Sequence, residues 1–149
     1  MKNLIIPIAL LLAAWCITGA WYLSQGICSA APSARLLQPL NVYFESGQNT
    51  IIENEDLRSY LSDLKEYTTA NPNAKVTIPG HTDNQGDATQ NVQLGQQRAD
   101  FIRDYLAQRG YNADIFSTTS NGPNTPIATN GTPEGRALNR RVEVRLEGN

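Results

Sequence analysis

The sequence predicts an α/β domain: a two-layer sandwich in which a mixed four-stranded sheet carries its helices on one face. Three observations predict it. Short alternating or β-branched apolar runs recur at residues 40–44, 74–78, 115–119 and 142–146. Two stretches with the three-four apolar spacing of helices separate the first three runs. Breaks rich in Pro, Gly and Asn divide each run from the next. The resulting order is strand, helix, strand, helix, strand, short helix, strand. Helices crossing between strands imply parallel pairs, and a mixed sheet accommodates the rest.

The chain has 149 residues, room for one ordinary domain. Twelve Lys+Arg against fourteen Asp+Glu give a formal charge of -2. No basic field therefore argues for nucleic acid, and no nucleic-acid partner is expected. The two cysteines, Cys16 and Cys28, both precede the polar part of the chain, so the predicted domain holds neither a disulfide nor a thiol nucleophile. A single histidine, His81, excludes a multi-histidine metal site, and no Gly-x-Ser-x-Gly elbow accompanies it. No metal or cofactor is expected.

Leu4 to Leu23 is apolar or weakly polar throughout, and no charge occurs between Lys2 and Arg35. That length, roughly 20 residues, matches a bilayer's hydrocarbon thickness. Trp15, Trp21 and Tyr22 lie toward its far end, where interfacial aromatics sit. Residues 1–24 read as a transmembrane anchor or a signal peptide. The length favours the anchor, whereas Thr18-Gly19-Ala20 and Cys28-Ser29-Ala30 fit a small-x-small cleavage pattern. Trp15 before Cys16 and Ile27 before Cys28 make poor lipobox residues. In each case the following domain is expected to be exported. The apolar stretch has no ionisable residue, so no ion relay is visible in it. Residues 25–39, rich in Ala, Ser and Pro, read as a linker, and residues 40–149 as the folded domain.

Within that domain, Leu40 to Phe44 alternates as a first strand, and Glu45 to Asn49 forms a loop. Asn54 is the expected N-cap of the first helix, with Glu55 and Asp56 in its first turn. Leu57, Tyr60, Leu61, Leu64 and Tyr67 make its buried stripe, and Asn71-Pro72 stops it. Ala74 to Ile78 is the second strand. Asp87 or Thr89 caps the second helix, which runs to about Arg109 with Gly110 as its stop. Leu94, Phe101, Ile102, Tyr105 and Leu106 are its expected core face. A third strand, Ile115 to Thr119, precedes a turn-rich loop over 121–131. Thr132-Pro133-Glu134 reads as the N-cap, N1 proline and first-turn acid of a short helix, and Val142 to Leu146 is the last strand.

Asp83 falls just past the second strand, in a loop leading to a helix, where α/β folds commonly keep a site. An Asx turn with Gln85 or Gly86 would equally account for it. Asn91 and Arg98 share a helix face two turns apart. Arg98 is expected at the border of the buried stripe, where a long side chain can also simply snorkel. An aspartate and an arginine held near each other, and not spent on pairing, suit a zwitterion. The guanidinium takes a carboxylate bidentately while the aspartate accepts an ammonium. Gly95 is costly inside a helix, and close approach of backbone to a ligand or a neighbouring loop would explain it. Arg140 and Arg141 are expected to point to opposite sides, one toward the site and the other solvated, or else to form a charged strand edge.

Gly80-His81-Thr82-Asp83-x-x-Gly86, Asn91-x-x-Leu94-x-x-x-Arg98-Ala99 and Gly135-Arg136-Ala137-x-Asn139-Arg140-Arg141-Val142 resemble the OmpA-like C-terminal domain family over roughly Leu40 to Leu146. The resemblance implies non-covalent peptidoglycan binding in the periplasm. It maps the residues that hold diaminopimelate of the stem peptide onto Asp83 and Arg98, with Asn91 and Arg140 beside them. Glu45, Gly95 and Pro79 depart from the family pattern. The expected protein is a tether between envelope and wall, in the inner membrane if the first segment is uncleaved, with outer-membrane association and envelope protein partners as further expectations. A subunit of a larger envelope complex is the alternative. A wall hydrolase using Asp83 or Glu45 is disfavoured, because no second carboxylate is placed beside Asp83. His81 reads as loop scaffold.

Overall fold

The computed structural model describes residues 32–45, 51 and 53–147. The apolar segment and the first part of the expected linker lie outside the described residues. Among those described, no helix is long and apolar enough to cross a membrane.

Four strands, β1 (Leu40–Tyr43), β2 (Val76–His81), β3 (Phe116–Gly122) and β4 (Arg141–Leu146), form one sheet in the order β1-β4-β2-β3. The chain's last strand thus lies inside the sheet, antiparallel to β1 on one side and to β2 on the other. Strands β2 and β3 run parallel. A parallel pair requires a crossover, supplied here by the long helix α2 (Ala88–Gln108). Helix α1 (Glu55–Ala70) joins β1 to β2, and the short α3 (Pro133–Asn139) leads into β4. The mixed four-stranded α/β architecture is the one the sequence predicts.

The core lies between one face of the sheet and α1 and α2. Val42, Val76, Ile78, Val142 and Val144 meet Leu57, Tyr60, Leu61 and Leu64 of α1 and Ala99, Ile102 and Leu106 of α2. The period of two in the strands and the three-four spacing in α1 leave these side chains on facing surfaces. Asn54 caps α1, its side chain accepting from Leu57 N at 2.8 Å, and Asn71 ends it, its N–H donating to Tyr67 O. Tyr60 spans the layers, donating its hydroxyl to Val144 O at 3.0 Å. Burial pushes that phenol up to about 12, so it stays a donor throughout the physiological range.

The structure differs from the sequence reading in several places, three of which bear on the site and the domain boundary. β2 continues three residues beyond Ile78, through Pro79 and Gly80 to His81. Proline lacks the N–H that an interior strand donates. The recorded pairs of β2 with β4 accordingly skip from Thr77↔Arg145 to Gly80↔Val142. The register of β2 with β3 holds through Pro79↔Thr119 and shifts between Gly80 and His81. Secondly, β4 is an interior strand, so Arg140 and Arg141 are not a charged edge. Thirdly, residues 32–39, expected as linker, fold onto the domain. Leu36 is 2% exposed within the core, and Ser33 Oγ donates to Asp63 Oδ2 at 2.9 Å.

Candidate functional site

Helix α2 presents a different face to the sheet than its large apolar residues suggest. Asn91, Gly95, Arg98, Ala99, Ile102 and Leu106 are buried, while Leu94 is only half-buried and Phe101 is 37% exposed. The reason is a backbone contact between two glycines. A Cβ on Gly80 of β2 would lie 2.0 Å from Gly95 O, and one on Gly95 would lie 2.3 Å from Ser120 Oγ of β3. Gly95 therefore serves a close approach of helix to sheet. With α2 pulled in at that point, Arg98 sits at the centre of the buried face, 0% exposed, not at its border.

At the end of the sheet where β2 stops, a cavity of about 500 Å³ is lined by Thr82, Asp83, Gln85, Asn91, Leu94, Arg98, Pro133, Arg136 and Arg140. All four residues singled out in the sequence thus converge on one cavity. β2 delivers Asp83 two residues beyond its end, just past the register shift; such irregularities re-aim side chains. Asp83 Oδ1 accepts from Gln85 N at 3.1 Å, so the Asx turn is present as well. The loop turns back at Gly86, whose φ of 86° lies where glycine is favoured. Asn91 fastens the loop to α2 by donating to Gln85 O at 2.8 Å. Asp87 caps α2, accepting from Gln90 N at 3.0 Å.

Asp83 is not free of pairing. Arg140 Nη1 donates to its Oδ2 at 2.9 Å, and both side chains are largely buried. Arg140, the residue between α3 and β4, also donates from Nε to Phe44 O at 3.4 Å and accepts from Phe44 N at 3.0 Å. It therefore ties the end of β1 to the Asp83 loop. Each carboxylate oxygen has two lone-pair directions, so an ion pair and one amide N–H leave acceptor capacity on Asp83. Arg98 Nη2 donates to Glu45 O at 3.3 Å, and its guanidinium lies 5.0 Å from the Phe44 ring centre. Glu45 thus meets Arg98 through its backbone. Burial pushes the Arg98 pKa below its ordinary value, the Arg140 charge pushes the same way, and Asp83 opposes both. A buried guanidinium beside a second cation gains from an incoming carboxylate, which restores the interactions that desolvation removed.

His81 and Arg141 lie on the other face of the sheet. Arg141 is 2% exposed and donates to Glu143 Oε1 at 2.8 Å and to Thr125 O, so it is not solvated. Arg145 closes the group on Glu143 Oε2 at 2.6 Å. His81 Nδ1 lies 2.7 Å from Thr125 Oγ1, and its Nε2 is 3.6 Å from Glu143. Burial, then Arg141, push its pKa down to about 4, with Glu143 working the other way. Neutral at ordinary pH and away from the cavity lining, His81 anchors the 123–128 loop across the sheet.

Three residues of this region stand in the sequence motifs but had no site role there. Arg136 lines the cavity, and its position one helical turn before Arg140 was a usable signal. Thr82 is 3% exposed and also lines it. Asn139, fully buried, accepts from Ile127 N and Ala128 N and donates to Ala128 O and Asn130 Oδ1, pinning the loop before α3. Asp83 is the one carboxylate lining the cavity among the described residues. A larger hollow of about 710 Å³ lies between α1 and the end of α2, and several of its charged groups already have partners. Glu53 there takes Arg109, Arg58 and the Tyr105 hydroxyl, and Lys65 donates to Gly110 O.

The fold and the cavity together define a small α/β sandwich domain with a charged cavity at the loop end of its sheet. The chain belongs to the OmpA family, whose sequence model matches residues 43–140. It is 48% identical over 84 residues to the peptidoglycan-binding protein ArfA of Mycobacterium tuberculosis, covering 56% of this chain and 26% of that one. It is 40% identical over 113 residues to the probable lipoprotein YiaD of Escherichia coli, covering 74% and 50%. The chain thus spans about a quarter and half of the lengths of these relatives. Among solved structures, the peptidoglycan-associated lipoprotein from Burkholderia pseudomallei superposes with a TM-score of 0.66 at 26% identity, covering 78% of this chain and 96% of that one.

Proposed function

We propose that the domain binds peptidoglycan non-covalently by taking the zwitterionic side-chain head of diaminopimelate into the cavity. The observation that carries this reading is the convergence of Asp83 and Arg98, both buried, on one cavity beside Asn91 and Arg140. In this reading Arg98 receives the ligand carboxylate in its guanidinium fork, and Asp83 accepts the ammonium. Arg140 keeps the Asp83 carboxylate in place, and Asn91 holds the loop that presents it. The names of the mycobacterial and Burkholderia proteins, which bind or associate with peptidoglycan, support the assignment. Residues 1–24 then serve as membrane anchor or export signal, the domain faces the periplasm, and the protein tethers envelope to wall. One carboxylate at the cavity supports recognition over hydrolysis, which uses two.

Pelleting of the full chain with purified sacculi tests this directly. Asp83→Asn and Arg98→Lys preserve size, and Arg98→Lys also preserves charge. Each is expected to weaken binding at least about thirtyfold, because Asp83→Asn removes the charge that meets the ligand ammonium and Arg98→Lys removes the fork that takes its carboxylate. Circular dichroism should show the fold unchanged. Undiminished pelleting of both folded variants would refute the assignment.

A further inference from the structure

The cavity has more positive charge than a single zwitterion uses. Arg98, Arg136 and Arg140 line it against the one carboxylate of Asp83. Arg140 is spent on Asp83. Arg98 and Asp83 suffice for the two ends of a zwitterionic head. Arg136 is left over. Its Nη1 donates to Asn130 O at 2.9 Å, which fixes the side chain. No carboxylate pairs with it among the described residues. An arginine that lines a polar cavity, is held by one hydrogen bond and has no carboxylate partner among the described residues is suited to recognition of a ligand carboxylate. The same cavity holds an unsatisfied polar group. Thr82 Oγ1 is buried at the same cavity and has no hydrogen-bond partner among the described residues. A buried hydroxyl left in that state is costly, and a ligand oxygen would relieve it.

We infer that Arg136 is a specificity-determining residue which reads a second carboxylate of the wall ligand, the α-carboxylate of the γ-linked glutamate preceding diaminopimelate in a stem peptide. The inference rests on the wall-binding reading above and extends it from the head group to the neighbouring residue. In a stem peptide the γ-linked glutamate acylates the diaminopimelate amine, and its α-carboxylate is an anionic neighbour of the head group. It is present either as the free acid or as the carboxamide. Arg136 distinguishes the two because the amide has no charge and only one acceptor oxygen.

The test is a calorimetric titration of the full chain with two synthetic tetrapeptides, Ala-γ-D-Glu-diaminopimelate-D-Ala and the same peptide with D-isoglutamine in place of D-glutamate. The unsubstituted protein is expected to prefer the acid by about tenfold, the order of one charge-assisted hydrogen-bonded pair. Arg136→Gln is expected to erase the preference, lowering the affinity for the acid peptide more than that for the amide peptide, which offers Arg136 only one neutral acceptor oxygen. Equal binding of the two peptides to the unsubstituted protein would overturn the inference and leave wall binding intact. So would an equal loss of both peptides in Arg136→Gln, which would show that Arg136 acts only by holding Asn130. Failure of both peptides to bind the unsubstituted protein would overturn the inference together with the reading beneath it.

Discussion

His81 shows how one side chain sets the pH response of this domain without entering its site. Its pKa is pushed from an ordinary 6.5 down to about 4, by burial first and Arg141 second. The folded protein therefore binds fewer protons than the unfolded chain between those two values. Stability rises with pH in that window and falls as the solution is acidified from 6.5 toward 4. The slope is about 1.4 kcal/mol per pH unit in the middle of the window. Glu143 adds a separate loss at lower pH. Burial alone would raise its pKa, but the Arg141 hydrogen bonds and charge, then the His81 charge and the Arg145 hydrogen bond, hold it below the ordinary 4.5. Its contribution is lost only as the pH falls below about 4.5, so the interval from 6.5 to 5 reports His81. Urea denaturation across that interval should show the decline in the unsubstituted domain and a nearly flat line in His81→Gln. An identical slope in both proteins would place the titration elsewhere. Sequence reasoning took His81 for loop scaffold because it saw one histidine without a metal or nucleophile partner. It had no means of finding Glu143 and Arg141, which face His81 only because β4 lies beside β2.

At the scale of elements, the packing of α2 on β2 and β3 is set by what is missing from two glycines. Gly80→Ala would place a methyl 2.0 Å from a backbone oxygen, which cannot swing aside. The expected cost is about 3 kcal/mol, at the upper end of overpacking effects. Gly95→Ala is different, since its methyl meets the Ser120 hydroxyl at 2.3 Å and the Gly80 backbone only at 3.2 Å. It should cost about 1–2 kcal/mol alone. Combined with Ser120→Ala it should recover most of that loss, helped by the roughly 1 kcal/mol that alanine gains over glycine in a helix. A double-mutant cycle read by chemical denaturation gives the coupling, and strict additivity would show that the two positions do not share space. The same contact explains what was legible here. The caps at Asn54, Asp87 and Thr132, the stop at Asn71 and the apolar stripe of α1 were local signals and could be read directly. The face of α2 could not. Leu94, Phe101 and Tyr105 carry the apolar pattern, yet helix–strand contact through glycine backbones turns Arg98 and Ala99 inward in place of Phe101. β2 was read as ending at Ile78; its continuation through Pro79 to the register shift between Gly80 and His81 has no local signature.

For the molecule as a whole, the site is a product of topology. Asp83 follows β2, Asn91 and Arg98 stand on α2, Arg136 and Arg140 flank the end of α3, and Phe44 and Glu45 follow β1. These segments meet because β4 inserts between β1 and β2, carrying Arg140 to Asp83 on one side and to Phe44 on the other. Four residues of this site were legible because their motifs survive in sequence; the pairing that spends Arg140 on Asp83 was not, since it joins residues brought together only by strand order. The boundary of the domain follows from the same packing logic. Leu36 fills the core near Val42 and α1, and Ser33 and Arg35 both reach Asp63. The two contacts to Asp63 are solvent-exposed and contribute little, whereas a buried leucine is worth about 2–5 kcal/mol. A chain begun at Pro32 should therefore melt as one cooperative unit, since Pro32–Asn149 forms a compact unit of its own. A chain begun at Leu40 should lose about 2–5 kcal/mol, and Leu36→Ala in the longer chain should reproduce most of that loss. The comparison separates core packing from linker length, because Leu36→Ala leaves the length unchanged. If the chain begun at Leu40 matched the longer one in denaturation midpoint, residues 32–39 would be a linker after all and Leu36 a passenger on the surface of the core.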